Sequence, residues 1–592
     1  MAQPASRRER PSTQTHLEVD CLEDPAIRTR IQVFRDLLAS CQGPRGKAKV
    51  IQNSLGGHVT WTKLSFRLLS VMSISTPVLK LITSAVQGHL QRFKDGGLFT
   101  ANLCLSLLDN SLKTDVHRKL LIQFYERFVN VIDTYLGSSK CACKFEIDVF
   151  NLQQVMTLLR SLCGPKLSYM RIEVQDKLFA VFLDVFLCTI PSERQDFFSD
   201  RVHIQCFPNS DILESTCLKG LLIECPELSS VNEKTLDVTS VPNQKGFLKI
   251  KVAVVLESMS GDSEGLVDAM YETEHGVDVG DVVVERMLSL CQQLLRCGVG
   301  LLLCQRVIHP KVKVFLRQAG LLFVDRLGSS TIPYLRDLTG ASPLSVLTVN
   351  PEEGWSGFGW LDSVTHQIWC DKSYLHLTQE NSPIVTLILK SSVDEMLQEV
   401  KVLGQTSVHT LQLLLGAPHV LSGGGCWLCH VAAYLVAKVQ EDKPKLLNEF
   451  ECTESQLNAG LETFTQCLLS LALRLTSDLS ITTSGTVSNL TDAEYCHIWK
   501  SPNIDASNIH SKTSSCNCGL LDMASVGKFE YISGRGLWKK QQIDWHKMAK
   551  VPEEDAFPRV VDPLVVMRNA LKMAVATANT VLSICQYIHD GD

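Results

Sequence analysis

Between Val284 and Gly340 the spacing of apolar residues alternates between a helical period and unbroken runs. Val284, Met287, Leu288, Cys291, Leu294 and Leu295 recur at helical intervals and mark one buried face. Gly298 ends that helix, and Val299 to Cys304 is a continuous apolar run suited to a buried strand. A second helix is predicted over Lys311 to Ala319, stopped by Gly320. Leu321 to Leu327 reads as the next strand. A third helix starts near Pro333 and stops at Gly340. Helices alternating with buried strands predict an α/β layer with parallel pairing.

The flanks carry a different pattern. Thr76-Pro77 is a helix start, and Val78, Leu79, Ile82 and Val86 give that helix an inner face. Asp562-Pro563 opens another helix, predicted to run to about Ile588. It is apolar nearly all round (Val565, Val566, Ala570, Ala574, Ala578, Val581, Leu582), as a helix buried in a large helical domain must be. Both chain ends therefore read as helical and the middle as α/β, and the economical arrangement folds the ends together with the middle inserted. Two stretches fit no packed element. Glu257 to Gly280 is acidic and broken by Gly261, Gly265, Gly276 and Gly280, and Thr476 to Arg559 is rich in Ser, Thr and Asn. Both read as long loops or insertions.

The chain has 592 residues, enough for about three or four domains. Its 45% hydrophobic and 20% charged content is that of a globular protein. A net charge of -6 predicts neither a nucleic-acid footprint nor a polybasic membrane patch, and no apolar run is long enough to span a membrane. Met1 to Pro11 carries Arg7, Arg8 and Arg10 without an apolar stretch behind them, so a disordered lead over 1–16 is expected in place of a secretory signal. The 22 cysteines then read as buried thiols in a reducing compartment.

A collinear series of short motifs gives a resemblance. Gly43-Pro44-Arg45-Gly46 matches an early Gly-Pro-Lys-Gly turn, and Lys94-Asp95-Gly96-Gly97-Leu98 stands where Gly-Asp-Gly-Thr-Thr is expected. Leu218-Lys219-Gly220, Leu303 to Ile308, Ser422-Gly423-Gly424-Gly425 and Asp562-Pro563 with its Ala-rich helix follow in order. Each is weak alone, and together across the chain they are specific. The chain resembles the type II chaperonins, the subunits of the eukaryotic cytosolic ring chaperonin, and within them the chaperonin-like branch linked to the Bardet–Biedl proteins. The resemblance implies a multi-domain α plus α/β fold. A helical equatorial domain would be built from 17–145 and 417–592, with the irregular insertion at about 476–559. A small intermediate domain would comprise 146–206 and 378–416, and an inserted α/β apical domain 207–377 would hold clients. It also implies assistance in assembling the Bardet–Biedl complex (BBSome), with related chaperonin-like proteins and the ring chaperonin as partners. The places implied are the cytosol, the centrosome and the ciliary basal body, and the process is cilium formation.

The resemblance also says where an ATPase would be built, and there the residues depart from the family. Such a site needs backbone N–H groups at a helix start for phosphate, hydroxyls and a carboxylate for Mg²⁺, and a second carboxylate to orient water. Gly97 and Leu98 replace the two threonines. Lys63-Leu64-Ser65 replaces Asn-Asp-Gly; Lys63 could pair with phosphate, but a surface lysine is the commoner reading. Thr410 stands in the position of the catalytic Asp after Ser407-Val408-His409, and Cys426-Trp427-Leu428 follows the triple glycine where an acidic residue is usual. The expectation is no catalytic residue and no required cofactor, with at most weak binding of ATP and Mg²⁺. The vestigial nucleotide positions are Gly43, Pro44, Gly46, Asp95, Gly96, Gly97, Gly423, Gly424, Gly425 and Asp562, and Asp95 is the vestigial magnesium position. Glycines in such turns are equally what backbone geometry alone requires.

Other motifs carry less. Cys426-Trp427-Leu428-Cys429-His430 spells a haem-attachment or redox motif without the required context, so its thiols are expected to pack in the core. Cys141-x-Cys143 and Cys516-x-Cys518 lack the usual zinc spacing. Partner binding is assigned to the apical helices, with Gln292, Arg296, Arg306, Lys313 and Arg317 as exposed polar residues. The rival function is an active ATP-dependent folding subunit that uses Asp95.

Overall fold

The computed structural model describes residues 15–19, 21–43, 46–52, 59–141, 143–190, 201–228, 241–242, 248–261, 279–344, 357–380, 382, 384–476, 557–558 and 560–590. The amino-terminal elements are β1 (Thr15–Val19), α1 (Pro25–Ala39), β2 (Lys49–Ile51), β3 (Thr60–Thr62), α2 (Ser65–Val71), α3 (Pro77–Phe93), α4 (Gly97–Ser111), α5 (Arg118–Gly137), β4 (Lys144–Glu146) and α6 (Leu152–Cys163). The middle comprises α7 (Ile172–Thr189), β5 (Val202–Pro208), β6 (Thr216–Lys219), β7 (Leu221–Glu224), β8 (Val241–Pro242), β9 (Leu248–Val255), α8 (Val279–Arg296), β10 (Leu301–Cys304), α9 (Pro310–Gln318), β11 (Leu322–Val324), α10 (Ile332–Thr339), β12 (Gly359–Leu361), β13 (Ser363–Trp369), β14 (Lys372–Thr378), β15 (Val385–Ser391) and α11 (Asp394–Gly416). The chain closes with β16 (His419–Ser422), α12 (Cys426–Glu441), α13 (Lys443–Phe450), α14 (Glu454–Thr476), β17 (Val561–Pro563), α15 (Leu564–Leu582) and β18 (Gln586–Asp590). Short 3-10 turns at Cys21–Glu23, Ile212–Glu214 and Pro226–Leu228 complete the described elements. Two compact units result. Met1–Gln175 joins Gln405–Asp592 in the first, and Asp176–Gly404 forms the second.

The first unit is a helical core around α4. Of its fifteen residues, Ala101 to Leu108 are all buried, polar Asn102 and Ser106 included. A helix without a wet face needs neighbours on every side, and α1, α3, α14 and α15 surround it. In α3 the expected inner residues Val78, Leu79, Ile82 and Val86 are buried. In α15 Ala570, Ala574 and Ala578 are fully buried, and their small side chains let the helix pack closely on α4. The helix is shorter than the sequence predicts. It stops at Ser583, and β18 pairs antiparallel with β1, Thr15 opposite Asp590. Thr15 and His16 therefore belong to a strand, which corrects the expected lead over 1–16; residues 1–14 lie outside those described.

The second unit contains the α/β layer. Strands β9, β10 and β11 run parallel, with Leu301 opposite both Val252 and Leu322, and β12 joins the far edge of β9 antiparallel. Alternation along the strands supplies two cores. Ala253, Val255, Leu302, Cys304 and Phe323 meet Met287, Leu290 and Leu294 of α8 and Val312 and Leu316 of α9. Val252, Val254, Leu301, Leu303 and Val324 meet Leu335 and Leu338 of α10 and the residues of β7 and β14. Cover on both faces is what a near-continuous apolar strand requires. The acidic stretch is shorter than expected, because α8 takes in Gly280; residues 262–278 lie outside those described. Residues 477–556 and 559 of the irregular stretch also lie outside. Among the described residues no helix is long and apolar enough to cross a membrane.

Candidate functional site

Helix α3 ends where Lys94 turns left-handed at φ 61°, and Gly96 at φ 80° opens α4. The reversal between the two helices is therefore only three residues long. Gly96 is required twice, by its backbone angle and by space: a β-carbon there would lie 2.9 Å from His89 Nε2 and 3.1 Å from Val566 Cγ1. At Gly97 it would lie 2.7 Å from Ser65 Oγ and 2.8 Å from Leu90 Cδ1, so the Lys63-Leu64-Ser65 element abuts the start of α4. His89 clamps the loop. Its Nε2 lies 2.9 Å from the Asp95 carbonyl oxygen and its Nδ1 3.0 Å from the Asn569 side-chain amide of α15. Burial holds the His89 pKa below the ordinary value.

The carboxylate of Asp95 is engaged. Lys166, in the turn after α6, places Nζ 2.9 Å from Asp95 Oδ1, and each side chain is 22% exposed. Lys63 is half-buried, and its Nζ donates to Ser168 Oγ at 2.8 Å in the same turn, at the surface. Leu64 is buried, and its backbone N–H donates to Thr62 Oγ1. Leu98 packs partly against the helical core. Thr410 is fully buried within α11, and its hydroxyl donates to the Thr406 carbonyl at 2.9 Å. One turn away Ser407 Oγ and Cys163 Sγ are 2.9 Å apart, and Thr406 Oγ1 donates to the Lys94 carbonyl. Helix α11 thus reaches the Lys94–Gly97 loop through Thr406, one turn from Thr410.

The triple glycine stands at the start of α12. Gly424 and Gly425 have φ of 66° and 91°, and a β-carbon at Gly423 would lie 2.8 Å from Val560 Cγ1. At Gly425 it would lie 3.0 Å from Ala472 Cα of α14, and at Gly43 (φ 84°) 3.7 Å from Leu475 Cα of the same helix. Gly46 N donates to the Gly43 carbonyl, closing that turn; Pro44 lies outside the described residues. Neither α4 nor α12 has a side-chain cap at its start, and the Phe99 and Trp427 rings of their first turns lie 5.6 Å apart. Trp427 is fully buried, and its indole N–H makes no hydrogen bond of normal geometry. It still lies near enough to Asp562 to favour the charged carboxylate. Burial first, and then Asp95, outweigh it and push Asp562 up to about 6.

Mg²⁺ demands near-octahedral oxygen ligands and is usually held by carboxylates and phosphate oxygens. The residues present do not fit it. The Asp95 carboxylate is paired with an ammonium group, the Leu98 and Leu64 side chains offer no oxygen, and burial holds the Asp562 pKa up at about 6. The described residues contain no cluster of three or more His, Cys, Asp or Glu side chains suited to a metal. Cys426 and Cys429 lie buried in the first turns of α12, and His430 Nε2 lies 2.7 Å from the Tyr135 hydroxyl, so this motif is packed into the core. Cys141 and Cys143 are buried with their sulfurs 3.4 Å apart; Cys516 and Cys518 lie outside the described residues.

Comparison with known proteins agrees with the order of motifs. The TCP-1/cpn60 chaperonin family profile matches residues 34–592. The chain belongs to that family. It is 32% identical over 583 residues to the Mus musculus protein named molecular chaperone MKKS, covering 96% of this chain and 97% of that one. The Homo sapiens molecular chaperone MKKS is 30% identical, over 95% and 96% of the two chains. Thermosome subunit alpha of Sulfurisphaera tokodaii is more distant, 23% identical over 66% of this chain and 69% of that protein.

In the second unit of this chaperonin-family protein, the expected polar residues divide. Gln292 and Arg296 are exposed on α8, and Arg306 is exposed after β10. Lys313 is not an exposed position. It is half-buried on α9, with Nζ 2.7 Å from Glu227 and 2.9 Å from Asp325. Arg317 is exposed and also pairs with Glu227. Sequence reasoning missed Lys166, His89 and Glu227. Lys166 and Asp95 are 71 residues apart, and no local spacing announces such a pair.

Proposed function

We propose that this chaperonin-family protein works by holding other proteins, without a productive ATPase cycle, and assists assembly of the Bardet–Biedl complex during cilium formation. Related chaperonin-like proteins and the cytosolic ring chaperonin are its partners in this reading, and the centrosome and basal body its places of work. The observation that carries the loss of turnover is Thr410, buried, with its hydroxyl bound to its own helix where the family has a carboxylate. The Asp95–Lys166 pair and the apolar Leu64 and Leu98 support it. Removing one group that stabilises transition-state charge costs about 2.7 kcal/mol or more. Similarity to relatives named molecular chaperones over nearly their whole length supports the chaperone class.

One observation favours the rival, an active ATP-dependent subunit. Asp562, pushed up to about 6 by burial and by the charge of Asp95, is a carboxyl in the range of a general base. Steady-state ATP hydrolysis separates the two. The proposal expects background turnover that Asp562→Asn and Asp95→Ala leave unchanged. Turnover at the level of an ordinary ring chaperonin, abolished by either substitution, would establish the rival.

A further inference from the structure

Outside the Lys94–Gly97 loop, two thiols meet just before β4. Cys141 and Cys143 are 1% and 0% exposed, and their sulfurs lie 3.4 Å apart in a thiol–thiol hydrogen bond. A shift of about 1.4 Å brings such a pair to the bond length of a disulfide. The Lys144 N–H reaches back 3.4 Å to the Cys141 carbonyl, so the chain already turns at the two cysteines. The hydrogen bond with Cys143, aided by the charge of Lys144, holds the Cys141 pKa below the ordinary thiol value against burial. Ser139 and Lys140 beside the pair are exposed. Among the described residues no cluster of three or more His, Cys, Asp or Glu side chains makes the pair part of a metal site. The chemistry open to it is oxidation of sulfur by sulfur contact. The pair is also tied to β16. The Cys143 carbonyl accepts from the Ser422 N–H at 3.0 Å and from the Ser422 hydroxyl at 3.4 Å, and Lys144 stands opposite Leu421. Ser422 is the residue before the triple glycine.

We propose that Cys141 and Cys143 form a peroxide-oxidised site that passes reversibly between a dithiol and an intramolecular disulfide, with the change carried through the Cys143 carbonyl to Ser422. The Cys141 thiolate attacks one oxygen of a peroxide. The O–O bond breaks, an S–O bond forms, and the departing hydroxide takes up the proton that Cys141 gave up. The Cys143 sulfur then attacks the Cys141 sulfur. The S–S bond forms, the S–O bond breaks, and the hydroxyl leaves as water with the Cys143 proton. Two thiols lose two electrons, and the peroxide gains them to become two waters. A small-molecule thiol reverses the step by exchange.

The test uses the folded full-length protein and hydrogen peroxide. Unreacted thiols are alkylated with N-ethylmaleimide, and the peptides are read by mass spectrometry. The peptide holding both cysteines should lose two hydrogens, escape alkylation and recover both thiols in dithiothreitol. Cys143→Ser lacks the second thiol and should take a dimedone label at Cys141, the mark of a sulfenic acid. Amide exchange at Ser422 should be at least about threefold slower in the disulfide form, because the ring restricts opening of the turn. Circular dichroism checks that the variant folds, and the unaltered protein decides the disulfide by itself. Alkylation of both thiols at peroxide levels that oxidise the exposed Cys370 and Cys585 overturns the proposal. So does a disulfide that forms only in denaturant, or one that joins either cysteine to a third. A folded Cys143→Ser variant without the label overturns Cys141 as the attacking thiol, and equal exchange at Ser422 in the two forms overturns the link to β16.

Discussion

Burial first, and then the charge of Asp95, move the Asp562 carboxyl from 3.8 up to about 6. The folded chain therefore holds this proton more tightly than the unfolded chain. Its contribution to stability is present below about pH 4 and is lost as the pH rises through about 6. Asp562→Asn, which cannot ionise, should be more stable than the parent at pH 7 by up to about 3 kcal/mol, an upper bound because the residue is only half-buried. The difference should vanish near about pH 4 in melting curves; a difference that persists there would show another cause. A second contrast lies on the apical helices. Lys313→Glu breaks contacts to Glu227 and to Asp325, whose side chain is 8% exposed, and should destabilise by about 2 kcal/mol, discounted for partial exposure. Arg306→Glu, at an exposed position, should change stability by less than about 0.5 kcal/mol. Chemical denaturation of both variants checks this. The burial of Leu64 and Thr410 and the packing of Leu98 suit their apolar or small side chains, and each was legible in the sequence as a departure from the motif the resemblance implies. The engaged states of Asp95 and Lys313 were not, because their partners arrive from turns and helices far along the chain.

At the scale of elements, hydrophobic period was the reliable signal. The helix read at Val284 to Cys297 is α8, the run at Val299 to Cys304 contains β10, and parallel register follows from cover on both faces. Period also placed α15 through its apolar circumference, but not its end. Strand β18 draws its stability from pairing with β1 at the other end of the chain, and five residues without strict alternation give no local notice of it. The helix start at Gly97 was equally hidden, since its only mark is a left-handed glycine that serves a turn as well as a cap. The packing of α15 on α4 makes a direct prediction. Leu571→Ala, at a buried position of α15 in the helical core, should destabilise the first unit by about 2–5 kcal/mol in denaturant titration. A loss under about 1 kcal/mol would mean that the helix does not carry the core.

For the whole molecule, the two units divide the roles. The first, from the chain ends, holds the Lys94–Gly97 loop, with Asp95 paired to Lys166, and the buried Thr410, and the proposed loss of turnover rests on these. The second presents exposed Gln292, Arg296 and Arg306 on an α/β layer whose apolar cores are built from other residues. A ring subunit that cycles would release its partners on hydrolysis; a holder would keep them. The most direct measurement is co-precipitation of the Bardet–Biedl complex subunits with the full-length protein in ATP, in ADP and without nucleotide. Hydrolysis is followed in the same samples. The account predicts equal capture in all three conditions, capture reduced by Arg306→Glu with Arg296→Glu, capture unchanged by Asp95→Ala, and background hydrolysis throughout. Release of the partners on adding ATP, abolished by Asp95→Ala, would contradict it.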